Sequence, residues 1–169
     1  AFCDVDERRA APTFEDFPNV PRFTDYRKML DALGSQIDAV VVATPDHSHA
    51  MPALAAMEMG KHVYVEKPLT HNIAEARQLL EASRKYKVVT QMGNQGASMD
   101  CNAQLAEWVQ GGVIGDVHTA HVWTNRPVWP QGVPTPTGKR EIPATLDWNL
   151  WLGKAPYRDY NPAYLPFKW

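Results

Sequence analysis

Short apolar runs alternate with helix-like segments between residues 37 and 92, and this alternation constrains the fold more than any other feature of the chain. Residues 37–43 form a nearly continuous β-branched run, which is typical of a parallel strand covered on both faces. The run ends before Pro45, because proline cannot continue strand pairing. Residues 48–59 then favour a helix, and Gly60 is suited to end it.

The same unit repeats further along the chain. Residues 61–65 predict a second strand, residues 72–86 a helix and residues 87–91 a third strand. Asn72 and Glu75 resemble a capping box at the start of the helix. Its apolar positions place Ile73, Ala76 and Leu80 on one face. Strand–helix alternation with short connections predicts an α/β fold with a doubly wound parallel sheet.

The composition changes after about residue 116. Leu105, Trp108 and Val109 mark a last helix before that point, and residues 116–125 alternate as a half-buried strand does. The remainder holds eight of the 14 prolines and four of the six tryptophans, which excludes long helices there. We therefore expect a first domain over residues 1–116 and the beginning of a second, mixed domain over residues 117–169.

Both ends of the sequence predict that the chain is a portion of a longer one. The opening apolar pair runs into Asp4-Val5-Asp6, which resembles the end of a strand. Residues 164–169 are rich in aromatic side chains and include no polar tail.

Charge and composition exclude several classes of protein. The 17 Lys and Arg residues nearly balance the 19 Asp and Glu residues, so the chain lacks the basic surface expected of a partner of nucleic acid or of an anionic membrane. No apolar run approaches the roughly 20 residues that span a bilayer. Cys3 and Cys101 belong to no metal-binding or disulfide spacing, and we expect them to be two unrelated thiols.

Ligands of a doubly wound sheet bind beyond the carboxyl ends of its strands. The residues directly after each strand, here called the strand exits, are therefore the candidate sites for chemistry. Asp4 lies at the carboxyl end of the first short apolar segment, residues 1–3. In a dinucleotide-binding fold, an acid at the end of the second strand hydrogen-bonds the ribose hydroxyls and repels a 2′-phosphate. Arg8 and Arg9 follow closely and would soften that preference for NAD over NADP. An Asp after a strand is also commonly a helix cap.

The segment from Thr44 to His49 joins a buried strand to the beginning of a helix, where backbone N–H groups face the ligand side of the sheet. His47 and His49 invite a metal interpretation. No third ligand stands at a suitable spacing, so packing or capping roles are favoured and no metal site is expected.

Glu66-Lys67-Pro68 is the sharpest local feature of the sequence. A lysine at the exit of a buried strand, beside a proline of fixed φ, has its backbone held while its amine reaches the cleft. Burial, or a cationic nicotinamide nearby, would favour the neutral amine and make Lys67 a usable proton donor or acceptor. Glu66 would balance its charge. A surface ion pair at a strand end is the alternative.

The loop Gly93-Asn94-Gln95-Gly96 brings two amides to the next strand exit, although such clusters are also ordinary turns. Four tryptophans could stack on a sugar or nicotinamide ring or could pack in a core instead. They are Trp123, Trp129, Trp148 and Trp151.

Three stretches together resemble the Gfo/Idh/MocA oxidoreductases, the superfamily of glucose–fructose oxidoreductase and inositol dehydrogenase. They are DAVVVATPDHSH at 38–49, GKHVYVEKPL at 60–69 and IGDV at 114–117. Residues 92–96 and 146–156 look like a bacterial branch that is often exported by the twin-arginine route and is close to the NAD-dependent glycosidases.

The resemblance implies a Rossmann domain that binds NAD, with NADP as the alternative. It also implies the start of an α+β substrate and dimerisation domain, whose open sheet faces a sugar or polyol and often a partner subunit. Lys67 would be the catalytic lysine near the substrate hydroxyl and the nicotinamide. The cofactor-binding positions that the resemblance implies are Asp4, Thr44, Pro45, His49, Glu66, Lys67, Pro68, Asn94 and Gln95.

Two parts of the family pattern are not in this sequence. The GxGxxG turn with the first strand would precede Ala1, and the Asp-x-x-x-His segment with the usual second acid/base would follow Trp169. Without that first strand, the second and fourth strands of the sheet would lack their common neighbour.

Three functions stay open at this point. The favoured one is a hydride transfer between nicotinamide and a sugar or polyol carbon, with Lys67 as proton shuttle. The second is an NAD-dependent glycosidase that oxidises its substrate transiently and eliminates the aglycone. The third is a non-catalytic truncated relative that acts through partner binding. The compartment stays open between the cytoplasm and twin-arginine export.

Overall fold

The computed structural model describes residues 1–128, 130 and 132–166 and has an α/β architecture. Strands and helices alternate through the first 110 residues, and the sequence predicts this alternation from residue 37 onward. The strands are β1 (Phe2–Cys3), β2 (Arg22–Phe23), β3 (Ala39–Val42), β4 (His62–Val65) and β5 (Thr90–Met92). The α-helices are α1 (Glu7–Asp16), α2 (Tyr26–Leu33), α3 (Ala50–Glu58), α4 (Ile73–Tyr86), α5 (Asp100–Gln110) and α6 (Trp148–Leu152).

The strands of the described residues form two separate parallel sheets. β1 pairs with β2, and β4 lies between β3 and β5. This is the order of a Rossmann sheet whose second and fourth strands, here β1 and β3, share no neighbour. The interruption is the one that the sequence predicts.

The main core lies on one face of the three-stranded sheet, where α3 and α4 both pack. The opposite face is open, and Val41 is 71% exposed there. The prediction that β3 is covered on both faces is therefore wrong for this chain, because α5 has no buried residue. The buried members of the core are Val42, Ala53, Ala56, Met57, Val63, Val65, Leu79, Ala82 and Val88.

Two residues with left-handed backbone end the helices of this repeated unit. Gly60 has a φ of 74° and follows α3, as the sequence predicts. Lys87 has a φ of 53° and follows α4. β5 consequently begins at Thr90, later than the strand predicted from residue 87.

Helix α4 presents a different face to the core from the one predicted. Ile73 is 72% exposed and Leu80 is also exposed, whereas Leu79 and Ala82 are buried on the same side as Glu75. The prediction is wrong because it follows the apolar positions alone, whereas the buried face includes Glu75. Its carboxylate is buried with partners, and the residues four and seven positions further along the helix lie on the same face.

The predicted strand over residues 116–125 is not formed. These residues have no regular pairing, and Val122 is 95% exposed. A strand needs a neighbour to take its backbone hydrogen bonds, and no described residue supplies one. The prediction that long helices are absent beyond residue 126 is confirmed among the described residues, where the α-helix is the short α6.

A second, smaller core joins the end of the chain to its beginning. The backbone N–H of Asp147 donates to the carbonyl of Val5 at 2.9 Å, and that of Glu7 donates to the carbonyl of Thr145 at 2.9 Å. The buried residues of this core are Leu146, Trp148, Leu152 and Tyr160. Part of the proposed second domain thus packs against the residues that follow β1. The domain boundary at residue 116 stays a prediction.

None of the helices in the described ranges combines the length and the apolar character needed to cross a membrane.

Candidate active site

The exits of β3, β4 and β5 lie side by side at one edge of the larger sheet. The backbone N–H of Glu66 donates to the carbonyl of Val42 at 2.9 Å, and that of Gly93 donates to the carbonyl of Val65 at 2.7 Å. These bonds continue the parallel ladder to its end. The side chains that follow each strand therefore share one edge, as the sequence predicts.

The carboxylate of Glu66 is held by the loop after β5. Nε2 of Gln95 lies 2.9 Å from Oε1 and 2.9 Å from Oε2 of Glu66. Gly93 leaves the space for this arrangement, because a Cβ built on it would lie 2.7 Å from Oε1. Glu66 is therefore bonded to an amide and not to Lys67.

Lys67 is exposed, and its ammonium has no hydrogen-bond or ion-pair partner within the described part of the chain. The surface ion pair left open by the sequence is thus not formed there. Burial, one of the two conditions that would favour a neutral Lys67 amine, is not present either. Its neighbour Pro68, joined by a cis peptide bond, is exposed as well, and the carbonyl of Pro68 contacts a buried histidine.

That histidine is His49, which is 1% exposed. Its Nδ1 lies 2.6 Å from the carbonyl oxygen of Pro68, and its Nε2 lies 2.7 Å from the carbonyl oxygen of Thr44. Both ring nitrogens are thus occupied by backbone. His47 has a separate partner, since its Nε2 lies 3.0 Å from the carbonyl oxygen of Trp151. The described residues include no group of three side chains placed to hold a metal ion.

The remaining cofactor candidates of this sheet lie at its exposed edge. The hydroxyl of Thr44 donates to the carbonyl of Ser48 at 3.2 Å. The carbonyl of Pro45 accepts from the backbone N–H of Ser48 at 2.8 Å, which forms the tight turn before α3. Asn94 is exposed and precedes the 3₁₀ turn Gln95–Ser98. Thr44, Pro45 and Asn94 thus line the edge on which Lys67 stands.

Asp4 stands apart from this group, at the exit of β1 in the other sheet. It lines an open cavity of about 510 Å³ together with Glu7, Phe14, Arg22 and Phe23 among others. Oδ1 of Asp4 accepts the backbone N–H of Asp6 at 2.9 Å. Burial raises the pKa of the Asp4 carboxyl, because the charged form loses water. No described hydrogen bond joins Asp4 to the exits of β3–β5.

The helix-capping alternative considered for Asp4 belongs to Asp6 instead. The Asp6 carboxylate accepts from the backbone N–H of Arg8 at 3.1 Å and of Arg9 at 3.4 Å, at the start of α1. Sequence reasoning missed this assignment, although an Asp two residues nearer the helix is the better placed cap. Asp4 is thereby left at the strand exit.

Sequence reasoning also missed one ion pair beside the loop between β4 and α4. This loop, residues 66–72, includes Lys67 and is called the Lys67 loop below. Glu75 is 7% exposed, and its Oε1 pairs with Nζ of Lys154. Oε2 of Glu75 accepts the backbone N–H of His71 at 2.9 Å, while the backbone N–H of Glu75 donates to Oδ1 of Asn72 at 3.0 Å. The capping-box pattern is the signal for the bond to Asn72, whereas the Glu75 carboxylate reaches one residue further back than that pattern predicts. Nothing in the sequence pointed to Lys154.

Two relatives with assigned activities match most of this chain. D-glucoside 3-dehydrogenase of Escherichia coli is 33% identical over 135 residues, which is 79% of this chain and 37% of the relative. Inositol 2-dehydrogenase of Rhodococcus jostii is 34% identical over 103 residues, which is 60% of this chain and 28% of the relative. The chain thus spans about a third of the length of these relatives.

A solved structure gives the same comparison at the level of the fold. The 3-ketoreductase of Actinomadura kijaniata, determined with NADP, superposes with a TM-score of 0.59 at 29% identity and covers 68% of this chain and 35% of that one. The family model for oxidoreductases with an NAD-binding Rossmann fold matches residues 1–94, which include β1 to β5 and the Lys67 loop. Because that match covers more than half of the chain, the chain belongs to the GFO_IDH_MocA family of oxidoreductases.

Proposed function

We propose that the protein is a dehydrogenase that transfers hydride between a nicotinamide dinucleotide and a hydroxyl-bearing carbon of a sugar or polyol. Family membership and the relatives that act on glucosides and inositols support this assignment. The homo-oligomer expected through the second domain remains a prediction alongside it.

One observation supports Lys67 as the proton shuttle. Both neighbours of Lys67 are held by polar contacts: the Glu66 carboxylate accepts from the amide of Gln95, and the carbonyl of Pro68 contacts the ring of His49. The amine of Lys67 has no such partner in the described part of the chain and stands at the shared edge of three strand exits. A held backbone with an available amine is what a proton shuttle requires.

The proposed step moves one hydride and one proton away from the substrate. When bound, the nicotinamide supplies the hydride acceptor. As the C–H bond of the substrate breaks and its electron pair leaves with the hydride, the hydroxyl oxygen forms a carbonyl and releases its proton. Lys67, as the neutral amine, takes that proton on Nζ. In the reverse direction the ammonium returns it to the oxygen. Glu66 and Gln95 fix the strand exit and take no proton.

Asp4 and its cavity fit the adenosine end of the cofactor. A half-buried carboxylate at the exit of β1 is suited to accept the hydrogen bonds of ribose hydroxyls. Glu7 and Glu15 also line this cavity, and their charges, with that of Asp4, disfavour a 2′-phosphate. The Arg22 guanidinium of the same cavity is engaged with the carbonyl of Phe14 at 2.8 Å. We therefore assign NAD over NADP.

The test is Lys67→Met, with Lys61→Met as the matched control at the opposite end of β4. Formation of NADH is followed with a panel of glucosides, inositols and other polyols, and NADH binding is followed by fluorescence. Lys67→Met should lower kcat by about 10²- to 10⁴-fold and leave NADH affinity within about twofold, because only proton transfer is removed. Lys61→Met should behave as wild type. Undiminished turnover in Lys67→Met contradicts the proposal. Release of aglycone without net NADH would instead indicate the glycosidase.

A further inference from the structure

His49 is the buried side chain that joins two of the strand exits. Its ring is 1% exposed and lies between the carbonyl oxygen of Thr44, after β3, and the carbonyl oxygen of Pro68, after β4. These two carbonyls bracket the edge on which Lys67 stands. A ring with both nitrogens facing backbone presents no nitrogen to a cofactor or a substrate.

The chemistry of the two contacts fixes their direction. A carbonyl oxygen only accepts, so each contact is a hydrogen bond only where the ring nitrogen carries a proton. The neutral imidazole has one N–H and satisfies one carbonyl, while the imidazolium satisfies both. The contact of Nδ1 with Pro68 is the shorter, at 2.6 Å against 2.7 Å for Nε2 and Thr44.

The position of His49 leaves its side chain available to contact the segments after β3 and β4. It stands directly before α3 and makes no capping bond to the helix backbone. Its backbone carbonyl accepts from Ala53 at 3.4 Å and starts the helix. The main chain of His49 is therefore fixed by α3, and its ring links that helix to the loop of Lys67.

We propose that His49 is a positioning residue, whose Nδ1–H donates to the carbonyl of Pro68 and holds the Lys67 loop against the exit of β3. The importance of His49 for turnover rests on the proposed function of Lys67. The hydrogen bond between the His49 ring and the carbonyl of Pro68 can be tested without that function, because it concerns only the position of the loop.

Two substitutions separate the two contacts. The amide nitrogen of asparagine stands at the same number of bonds from Cα as Nδ1, and that of glutamine stands at the position of Nε2. His49→Asn therefore keeps the donor for Pro68, and His49→Gln keeps the donor for Thr44. Both shorten or reshape the same buried side chain.

The readout is amide hydrogen exchange at Glu66 and His71, which flank the loop and donate to Val42 and to Glu75. Exchange there should be about tenfold faster in His49→Gln than in His49→Asn, since one hydrogen bond is worth roughly that factor. His62→Asn is the control, because His62 lies at the opposite, amino end of β4, where its Nδ1 accepts the backbone N–H of Val89. It should leave exchange in the loop unchanged.

Equal exchange in the two His49 variants, or the same acceleration in His62→Asn, would overturn the proposal. If neither His49 variant folds, the ¹⁵N spectrum of the wild-type imidazole decides: a proton on Nδ1 supports the proposal and a bare Nδ1 refutes it. These readouts use no substrate. Full turnover in Lys67→Met would therefore refute the proposed function while leaving the result on His49 intact.

Discussion

The carboxylate of Glu66 lies directly over the α-carbon of Gly93, at the point where β4 and β5 end. A Cβ built on Gly93 would lie 2.7 Å from Oε1, 2.8 Å from Cδ and 2.9 Å from Oε2 of Glu66. The same carboxylate is bonded to Gln95, so the absence of a side chain at residue 93 is what lets these two loops meet.

Gly93→Ala should therefore displace Glu66 and break its bond to Gln95. Because Lys67 follows Glu66 directly, we expect kcat/KM to fall by about 10- to 100-fold, the size of a misplacement near 1 Å. Gly96→Ala is the control, since a Cβ there meets nothing within 4 Å. Steady-state kinetics of the two variants, with thermal unfolding to confirm folding, provide the measurement. Equal kinetics in both would show that the contact is not needed.

Asp4→Asn should weaken NADH binding without weakening the fold. Loss of the charged acceptor for the ribose hydroxyls should raise the Kd of NADH by about tenfold. The Kd of NADPH should not rise, because the same substitution relieves the repulsion between Asp4 and the 2′-phosphate. Asp16→Asn, an equal change of charge at the exposed end of α1, should alter neither affinity. Fluorescence titrations with both dinucleotides measure this. A fall in NADPH affinity matching that of NADH would contradict the ribose assignment.

The stability of Asp4→Asn should depend on pH in a defined direction. Burial raises the pKa of Asp4 in the folded protein above its value of 3.8, so the ionised carboxylate disfavours the fold. This penalty is absent below pH 3.8 and grows as pH rises through the folded pKa. The free energy of unfolding of the variant should thus exceed that of wild type near pH 7 and approach it in acid. Chemical denaturation at both pH values tests this.

The strand–helix order could be predicted because it is encoded locally. The β-branched run before Thr44, the left-handed Gly60 and the Asn72 cap each act within a few residues, and the structure has all three features. The strand exits followed from that order. The family motifs then singled out Lys67 among the residues at those exits.

The errors lie where distant residues decide the outcome. The buried face of α4 packs against α3 and the sheet, and the cation that pairs with Glu75 on that face is Lys154, which is far away in sequence. The strand over residues 116–125 depends on a neighbour that no described residue supplies. The assignment of His49 to the cofactor loop stays a prediction, and the contact of its ring with the carbonyl of Pro68, 19 residues away, could not be read from local pattern. Periodicity and local propensity include none of these contacts.

The two cysteines should differ sharply in reactivity. Burial, with the charges of Asp25 and Asp4, raises the pKa of Cys3 to about 11, whereas Cys101 is exposed on α5. At pH 8 only about a thousandth of Cys3 is thiolate, the form that reacts. Iodoacetamide should therefore label Cys101 first, as peptide mass spectrometry and the Cys101→Ser variant would show. Labelling of Cys3 at the same rate would contradict the raised pKa.

The same thiol should lower stability in alkali. The unfolded chain ionises at its ordinary value of 9.0 and the folded chain at about 11, so the folded state holds more protons between these values. The free energy of unfolding should fall as pH rises through that window. Cys3→Ala should remove this part of the pH dependence, which urea denaturation at pH 8 and pH 10.5 would reveal.

Lys154→Met should destabilise the fold by about 1–3 kcal/mol, because it leaves the buried carboxylate of Glu75 without its cation. Lys139→Met is the matched control: its partner Asp159 is 3.7 Å away and both side chains are well exposed, so we expect a loss below about 1 kcal/mol. Adding Glu75→Gln to Lys154→Met should recover most of the loss, since the uncompensated charge is removed. Urea denaturation of the four proteins measures these differences. A double variant as unstable as Lys154→Met would mean that the lysine acts through packing of its stem and not through its charge.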